Sequence, residues 1–299
     1  MLEEVKQTNL ELEKKDSVKR HFRYDWQEVA KYNPDYRRYV ETERVRLGES
    51  HPLFRTQYLL LPISGSGGFL SRQQIILILG THPRLKEPTQ GTSYIAGIDL
   101  AGEKGVLSPE SQVIRPRTID YRLSTRSQDS TVITIAQVDT IQRSQFLLAE
   151  PLLKVVEQYQ WTGTPHSQLY PQIVDIRKRW NCQRIVVDAT GIGQPVASFL
   201  RKELGSRVKP FTFTQKSKSD MGFELLSFVN SGRLKLYKQD GSKEYQETMF
   251  ELEKAKAQYR PNQTMNFYVD PLEGHDDFLM SLALVVEGAK DFTPRTAKG

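Results

Sequence analysis

Acidic residues standing where apolar ones are expected constrain this chain more than any other feature. Asp99 lies inside the run YIAGIDLA, Asp188 ends RIVVDATG, and Asp276 and Asp277 open the apolar stretch FLMSLALVV. Carboxylates are rarely buried without partners. Singly, each has an ordinary explanation: Asp276 as a helix N-cap, Asp277 as an answer to the helix dipole, Asp188 as a strand-ending turn. Asp99, flanked on both sides by apolar residues within one strand, has no such explanation.

The surrounding pattern says how these positions could meet. The stretches SYIAGIDLAG (93–102), STVITIAQVDT (130–140), part of 146–163, RIVVDATGIG (184–193) and KPFTFT (209–214) read as strands. Helical spacing appears at 165–180, 195–204, 219–232 and 243–259, and again after His275, with short strands at RLKLYK and TMNFYVD. Strands that first meander and then alternate with helices make an α/β layer fold. If the strands of Asp99 and Asp188 are neighbours, the two carboxylates meet near the strand ends, where such sheets build sites. A helix beginning at Asp276 can deliver a third. Clustered carboxylates repel unless protonated or bound to cations. Hard divalent cations take oxygen ligands, and Mg²⁺ suits a site that also holds a phosphate. Two such ions about 3.5–4 Å apart clamp a phosphodiester for cleavage.

Before residue 90 the pattern differs. Residues 1–20 are densely charged, 24–48 read as two helices broken at Asn33-Pro34, 64–68 as a flexible loop, and 73–79 as a strand or short buried helix. The polar, proline-bearing stretch 81–93 reads as a linker, which places a boundary near 90 and leaves 291–299 as a tail. With 38% hydrophobic residues and one cysteine, Cys182, the 299-residue chain can bury a core but cannot form an intrachain disulfide. The start of the chain has no apolar core, so no secretory signal is expected, and no apolar run is long enough to span a membrane.

Net charge is +6, with the excess in residues 201–260, which hold 13 basic against 8 acidic side chains. A polyanionic partner fits this balance. Lys216 and Lys218, expected between a strand and a helix, and Arg115, Arg117 and Arg122, in an irregular stretch, are the candidate DNA contacts. His275, beside the Asp pair, is a possible auxiliary. The small residues Thr190-Gly191-Ile192-Gly193 read as a tight strand–helix turn rather than a dinucleotide loop, because Val196 stands where a third glycine would be needed.

GIDLAG, the DSTVIT strand, IVVDATGIGQPVASFL and GHDDFLMSLALVV, in this order, resemble the nuclease domain of tailed-phage terminase large subunits. The resemblance covers roughly residues 91–290. It implies an RNase H-like mixed sheet flanked by helices, the fold of resolvases and integrases, with a small, mostly helical N-terminal appendage. It maps the first-strand carboxylate to Asp99, the central-strand carboxylate to Asp188, and the last to Asp276 or Asp277. It also implies an Mg²⁺- or Mn²⁺-dependent endodeoxyribonuclease with two ions, Asp99 bridging them, acting on concatemeric double-stranded DNA in the host bacterial cytoplasm. Portal protein, small terminase subunit and packaging ATPase are the implied partners. Residues 20–90 resemble the segment joining ATPase to nuclease, but the G-x-x-x-x-G-K-[ST] phosphate loop of the ATPase is absent. A Holliday-junction resolvase-like nuclease and a non-catalytic DNA-docking module are the alternatives.

Overall fold

SYIAGID forms the strand that organises the larger part of the molecule. The computed structural model describes residues 2–49, 52–61, 66–101, 129–141, 150–191, 193–260 and 262–290. It divides into two compact units, Met1–Ile63 and Ser64–Gly299.

The first unit contains helices α1 (Leu2–Asp16), α2 (Trp26–Ala30), α3 (Pro34–Leu47) and α4 (Pro52–Gln57). The break at Asn33-Pro34 is as expected: the Asn33 side chain caps α3, and Pro34 occupies its first turn, where no N–H is needed. Trp26, Ala30, Val40, Phe54 and Tyr58 make its small core.

The second unit runs β1 (Ser66–Gly68), α5 (Arg72–Ile78), β2 (Ser93–Asp99), β3 (Ser130–Ile141), β4 (Glu150–Thr162), α6 (His166–Trp180), β5 (Arg184–Asp188), α7 (Gly193–Leu204), β6 (Val208–Phe211), α8 (Gln215–Asn230), β7 (Leu234–Lys235), α9 (Lys243–Lys254), β8 (Lys256–Tyr259), β9 (Met265–Tyr268) and α10 (Asp277–Ala289). Six strands form one mixed sheet in the order β6-β5-β2-β3-β4-β7. β2 pairs antiparallel with β3 and parallel with β5, so the strands of Asp99 and Asp188 are neighbours running the same way.

Alternation along these strands separates two cores. Tyr94, Ala96 and Ile98 of β2 pack with Ile185 and Val187 of β5 against α6 and α7. Ile95 and Val186 turn the other way, into the core shared with α8 and α10. Successive side chains of a strand point to opposite faces. Asp99, four residues past Ile95, and Asp188, two past Val186, therefore belong to the α8–α10 face.

Four expectations change. Residues 66–68, read as loop, pair with β8 in a three-stranded sheet, β1-β8-β9. The helix read over 243–259 stops at Lys254, because Lys256–Tyr259 pairs with β1 and β9. α8 begins at Gln215, capped by Thr214 with Ser217, so Lys216 and Lys218 lie in its first turn and not in a loop. The boundary expected near 90 lies inside the second unit. Leu85 N–H donates to Val156 O at 2.8 Å, Arg84 pairs with Glu157, and a His82 ring nitrogen lies 2.7 Å from Val155 O, so the stretch read as a linker is a strap on β4. Among the described residues no helix is long and apolar enough to cross a membrane.

Candidate metal centre

Each acidic position is set by local geometry. Asp99 ends β2, opposite Val132 of β3. Asp188 ends β5, and its Oδ1 accepts the Thr190 N–H at 2.8 Å, closing a turn. That turn needs glycine at 193: a Cβ there would fall 2.4 Å from the Asp188 carbonyl oxygen. The small residues after Asp188 thus serve the turn.

α10 brings in the others. Asp276 stands at its N-cap position and Asp277 at its first residue. Asp277 is only 8% exposed, and its Oδ2 accepts the Ser130 N–H at 2.8 Å, tying it to β3. Asp129, Asp277 and His275 each offer a ligand atom within 4.8 Å of the others, and His275 Nδ1 lies 2.7 Å from Asp129 Oδ1.

Asp129 and Glu251 join this cluster without having been singled out in the sequence, and one of the two candidate lysines joins it too. Glu251, within the stretch read as a helix over 243–259, is 4% exposed, and its Oε2 accepts the Leu279 N–H at 2.8 Å. Lys218 is half-buried, with its ammonium 5.4 Å from the Phe267 ring centre. Lys216 stays outside: its side chain is 85% exposed and pairs with Asp220 one turn on. Arg115, Arg117 and Arg122 lie outside the described residues.

The electrostatics reflect this mutual proximity. Burial raises the Asp99 carboxyl well above the usual carboxylate range, and Asp277, Asp188, Asp276 and Glu251 push it further the same way. Burial lifts Glu251 to about 9, with Asp277 and Asp276 adding to the rise against the Leu279 and Phe278 N–H groups. Asp277 is pushed up to about 7, again chiefly by burial. Asp188 and Asp276 rise for the same reason, each opposed by the Lys218 charge. Burial lowers Lys218 while Asp276, Asp99 and Asp188 hold it up. Asp99, Asp188 and Asp276 thus crowd one ammonium, with Asp277 beside Asp99, and these four make an all-oxygen donor set that fits hard divalent cations. A groove of about 750 Å³ opens from Asp277, Glu251 and His275 past Ser130, Gln160 and Thr162.

A family model described as Terminase RNaseH-like domain matches residues 120–286, more than half of the chain. The magnesium-bound large terminase nuclease of thermophilic phage G20c superposes with a TM-score of 0.52 at 15% identity, over 74% of this chain and 96% of that one. Its cobalt-bound form gives 0.51 at 15% identity over the same shares. The large terminase nuclease domain of Thermus phage P74-26 gives 0.50 at 14% identity, over 73% of this chain and 94% of that one. Among curated proteins none matches.

Proposed function

This chain belongs to the terminase RNaseH-like domain family, and from that premise we propose that it is the metal-dependent endonuclease of a viral DNA-packaging terminase, cutting concatemeric double-stranded DNA with two divalent cations. The observation that carries the reading is the convergence of Asp99, Asp188, Asp276 and Asp277 from neighbouring strands and the start of α10, with Lys218 beside the first three. Negative charge of that density calls for cations. Mg²⁺ or Mn²⁺ fits the donor set, and the magnesium of the G20c nuclease supports the choice.

Asp99 would be the shared ligand, with Asp188 on one side and Asp276 and Asp277 on the other. Cations held there would polarise the scissile phosphate, lower the pKa of a water and neutralise the leaving oxygen. Lys218, its ammonium 5.4 Å from the Phe267 ring centre, would place a fixed positive charge on a phosphate oxygen. The His275–Asp129 pair beside Asp277 can orient a water or add a ligand. Hydrolysis of the P–O3′ bond puts the water oxygen on phosphorus and a proton on the 3′ oxygen, leaving 5′-phosphate and 3′-hydroxyl ends. Contacts to phosphates carry little base information, so sequence preference is weak. Portal protein, small terminase subunit and packaging ATPase, in the host bacterial cytoplasm, are the proposed partners.

Digestion of supercoiled plasmid in Mg²⁺, in Mn²⁺ and in EDTA tests the reading. Nicked and then linear DNA should appear with either cation, and not in EDTA or with Asp99→Ala or Asp188→Ala. Binding without cleavage in both cations would leave a DNA-docking module instead. A strong preference for four-way junctions over linear duplex would indicate a resolvase.

A further inference from the structure

The first N–H groups of a helix lack partners within it, and the N-cap side chain ordinarily accepts from one of them. Among the described residues, Asp25, Asn33, Ser71, Thr214 and Ser242 each accept an N–H of the helix they begin, and α6 starts from Pro165, whose side chain has no acceptor. α10 breaks the pattern. Asp276 is a favoured N-cap type in the N-cap position, yet its side chain makes no capping bond. Its backbone, at φ −121° and ψ 22°, also leaves the extended geometry that Asp25 shows at φ −73° and ψ 176°.

The cap comes from another helix. Glu251 of α9 reaches across so that its Oε2 accepts the Leu279 N–H at 2.8 Å. Leu279 is the third residue of α10, the donor an N-cap side chain would normally satisfy. The two tasks compete for Asp276: a carboxylate folded over its own helix end faces down α10, and one turned outward faces Asp99.

We infer that Glu251 is the positioning residue of this centre: by capping α10 in place of Asp276, it leaves the Asp276 carboxylate turned toward Asp99 to hold a cation. The inference rests on the metal-centre reading above. Glu251 acts through the helix start and not as a ligand, so what matters is an acceptor at that point, not a charge.

Two variants separate acceptor from charge. Glu251→Gln keeps an oxygen acceptor, and Glu251→Met fills similar volume without one. Mn²⁺ affinity is measured by calorimetry without DNA, cleavage as kcat and KM, and amide hydrogen exchange at Leu279. Glu251→Gln should stay near wild type in all three. Glu251→Met should expose the Leu279 amide to fast exchange, and lose about 10–100-fold in Mn²⁺ affinity and kcat, the cost of removing a group that orients ligands, with KM for DNA little changed. A folded Glu251→Gln protein as deficient as Glu251→Met would make Glu251 a charge-bearing ligand and overturn the inference. So would a Glu251→Met protein that binds Mn²⁺ and cuts like wild type. If Glu251→Met does not fold, Glu251→Gln alone decides, through its Mn²⁺ affinity and Leu279 exchange. Unchanged Mn²⁺ binding by Asp99→Ala would instead remove the metal-centre reading, while Leu279 exchange would still report the cap.

Discussion

Gly97 and Ser281 set how closely α10 crosses β2: the Ser281 hydroxyl donates to the Gly97 carbonyl at 2.9 Å, and a Cβ on residue 97 would lie 2.2 Å from the Ser281 carbonyl oxygen. Only a residue without a side chain lets the helix this near. The crossing lies one turn along α10 from Asp277 and two residues before Asp99, so it fixes the depth at which the two carboxylates meet.

Gly97→Ala should therefore push α10 outward. The opposing atoms are backbone, which cannot swing aside, so a destabilisation of about 1–3 kcal/mol or more is expected from overpacking. Urea unfolding should show it, and cleavage should fall in protein that is still folded. Wild-type stability and activity together would mean that α10 is free to shift without cost to the centre.

Asp99→Ala should abolish cleavage without harming the fold. Burial, and then four other acidic groups, raise the Asp99 carboxyl toward its neutral form, so removing it relieves desolvation and repulsion in the cation-free protein. Thermal melts in EDTA should give a Tm equal to or above wild type, and the rise in Tm on adding Mg²⁺ should shrink. A lower Tm in EDTA would make Asp99 a structural partner.

Stability without cations should fall as pH rises. Glu251 and Asp277, at about 9 and about 7, hold protons in the folded state that an unfolded chain releases near pH 4. Between those values the folded state binds more protons, so each unit of pH costs stability until the group has ionised. Tm in EDTA should be highest near the acid end of this window and decline toward about pH 9. Because cations bind the deprotonated carboxylates, the Mg²⁺-induced rise in Tm should grow over the same range. Glu251→Gln should flatten the upper part of the decline, and equal slopes with and without that change would contradict the assignment.

What the sequence disclosed follows from what a residue's neighbours in the chain can reveal. Asp99 and Asp188 stood out because apolar strand residues flank them, and period-two alternation with Ile95 and Val186 puts them on one face. Glu251 gave no such signal. It sits in KEYQETMFELEK, where charge is frequent, and only the packing of α9 against α10 buries it. Lys218 looked no different from Lys216, since both were expected in a loop. Once α8 begins at Gln215, two residues on a helix point to well-separated directions, and one lysine turns inward. Lys256–Tyr259 continued a helical pattern and became a strand because β1 and β9 were there to pair with it.

Removing residues 1–63 should leave the chemistry intact, whereas removing residues 1–90 should not. The first cut follows the division between the two units and takes none of the proposed ligands. The second also removes β1, α5 and the strap on β4, uncovering the core around Leu234 and Leu236 that Ile78 packs into and opening the edge of β8. A chain beginning at Ser64 should melt cooperatively and cut plasmid, and one beginning at Gly91 should lose stability or aggregate. Equal activity and Tm for the two would restore the boundary near 90.

The two lysines of α8 should separate DNA affinity from chemistry. Lys218→Ala should lower the saturated cleavage rate, since its ammonium faces Asp276, Asp99 and Asp188, where the scissile phosphate would lie. Lys216→Ala should leave that rate near wild type, since its exposed ammonium already pairs with Asp220. A lysine that neutralises a phosphate should, once removed, flatten the slope of log K against log salt by about 0.9. Fluorescence anisotropy across a salt series, beside single-turnover cleavage at saturating DNA, distinguishes the roles. An unchanged slope for Lys216→Ala returns it to a surface ion pair. An unchanged saturated rate for Lys218→Ala would show that the half-buried ammonium balances the carboxylates of the free protein, without touching the substrate. In that case the variant should still lose stability in EDTA, because Asp99, Asp188 and Asp276 would face one another with no positive charge among them.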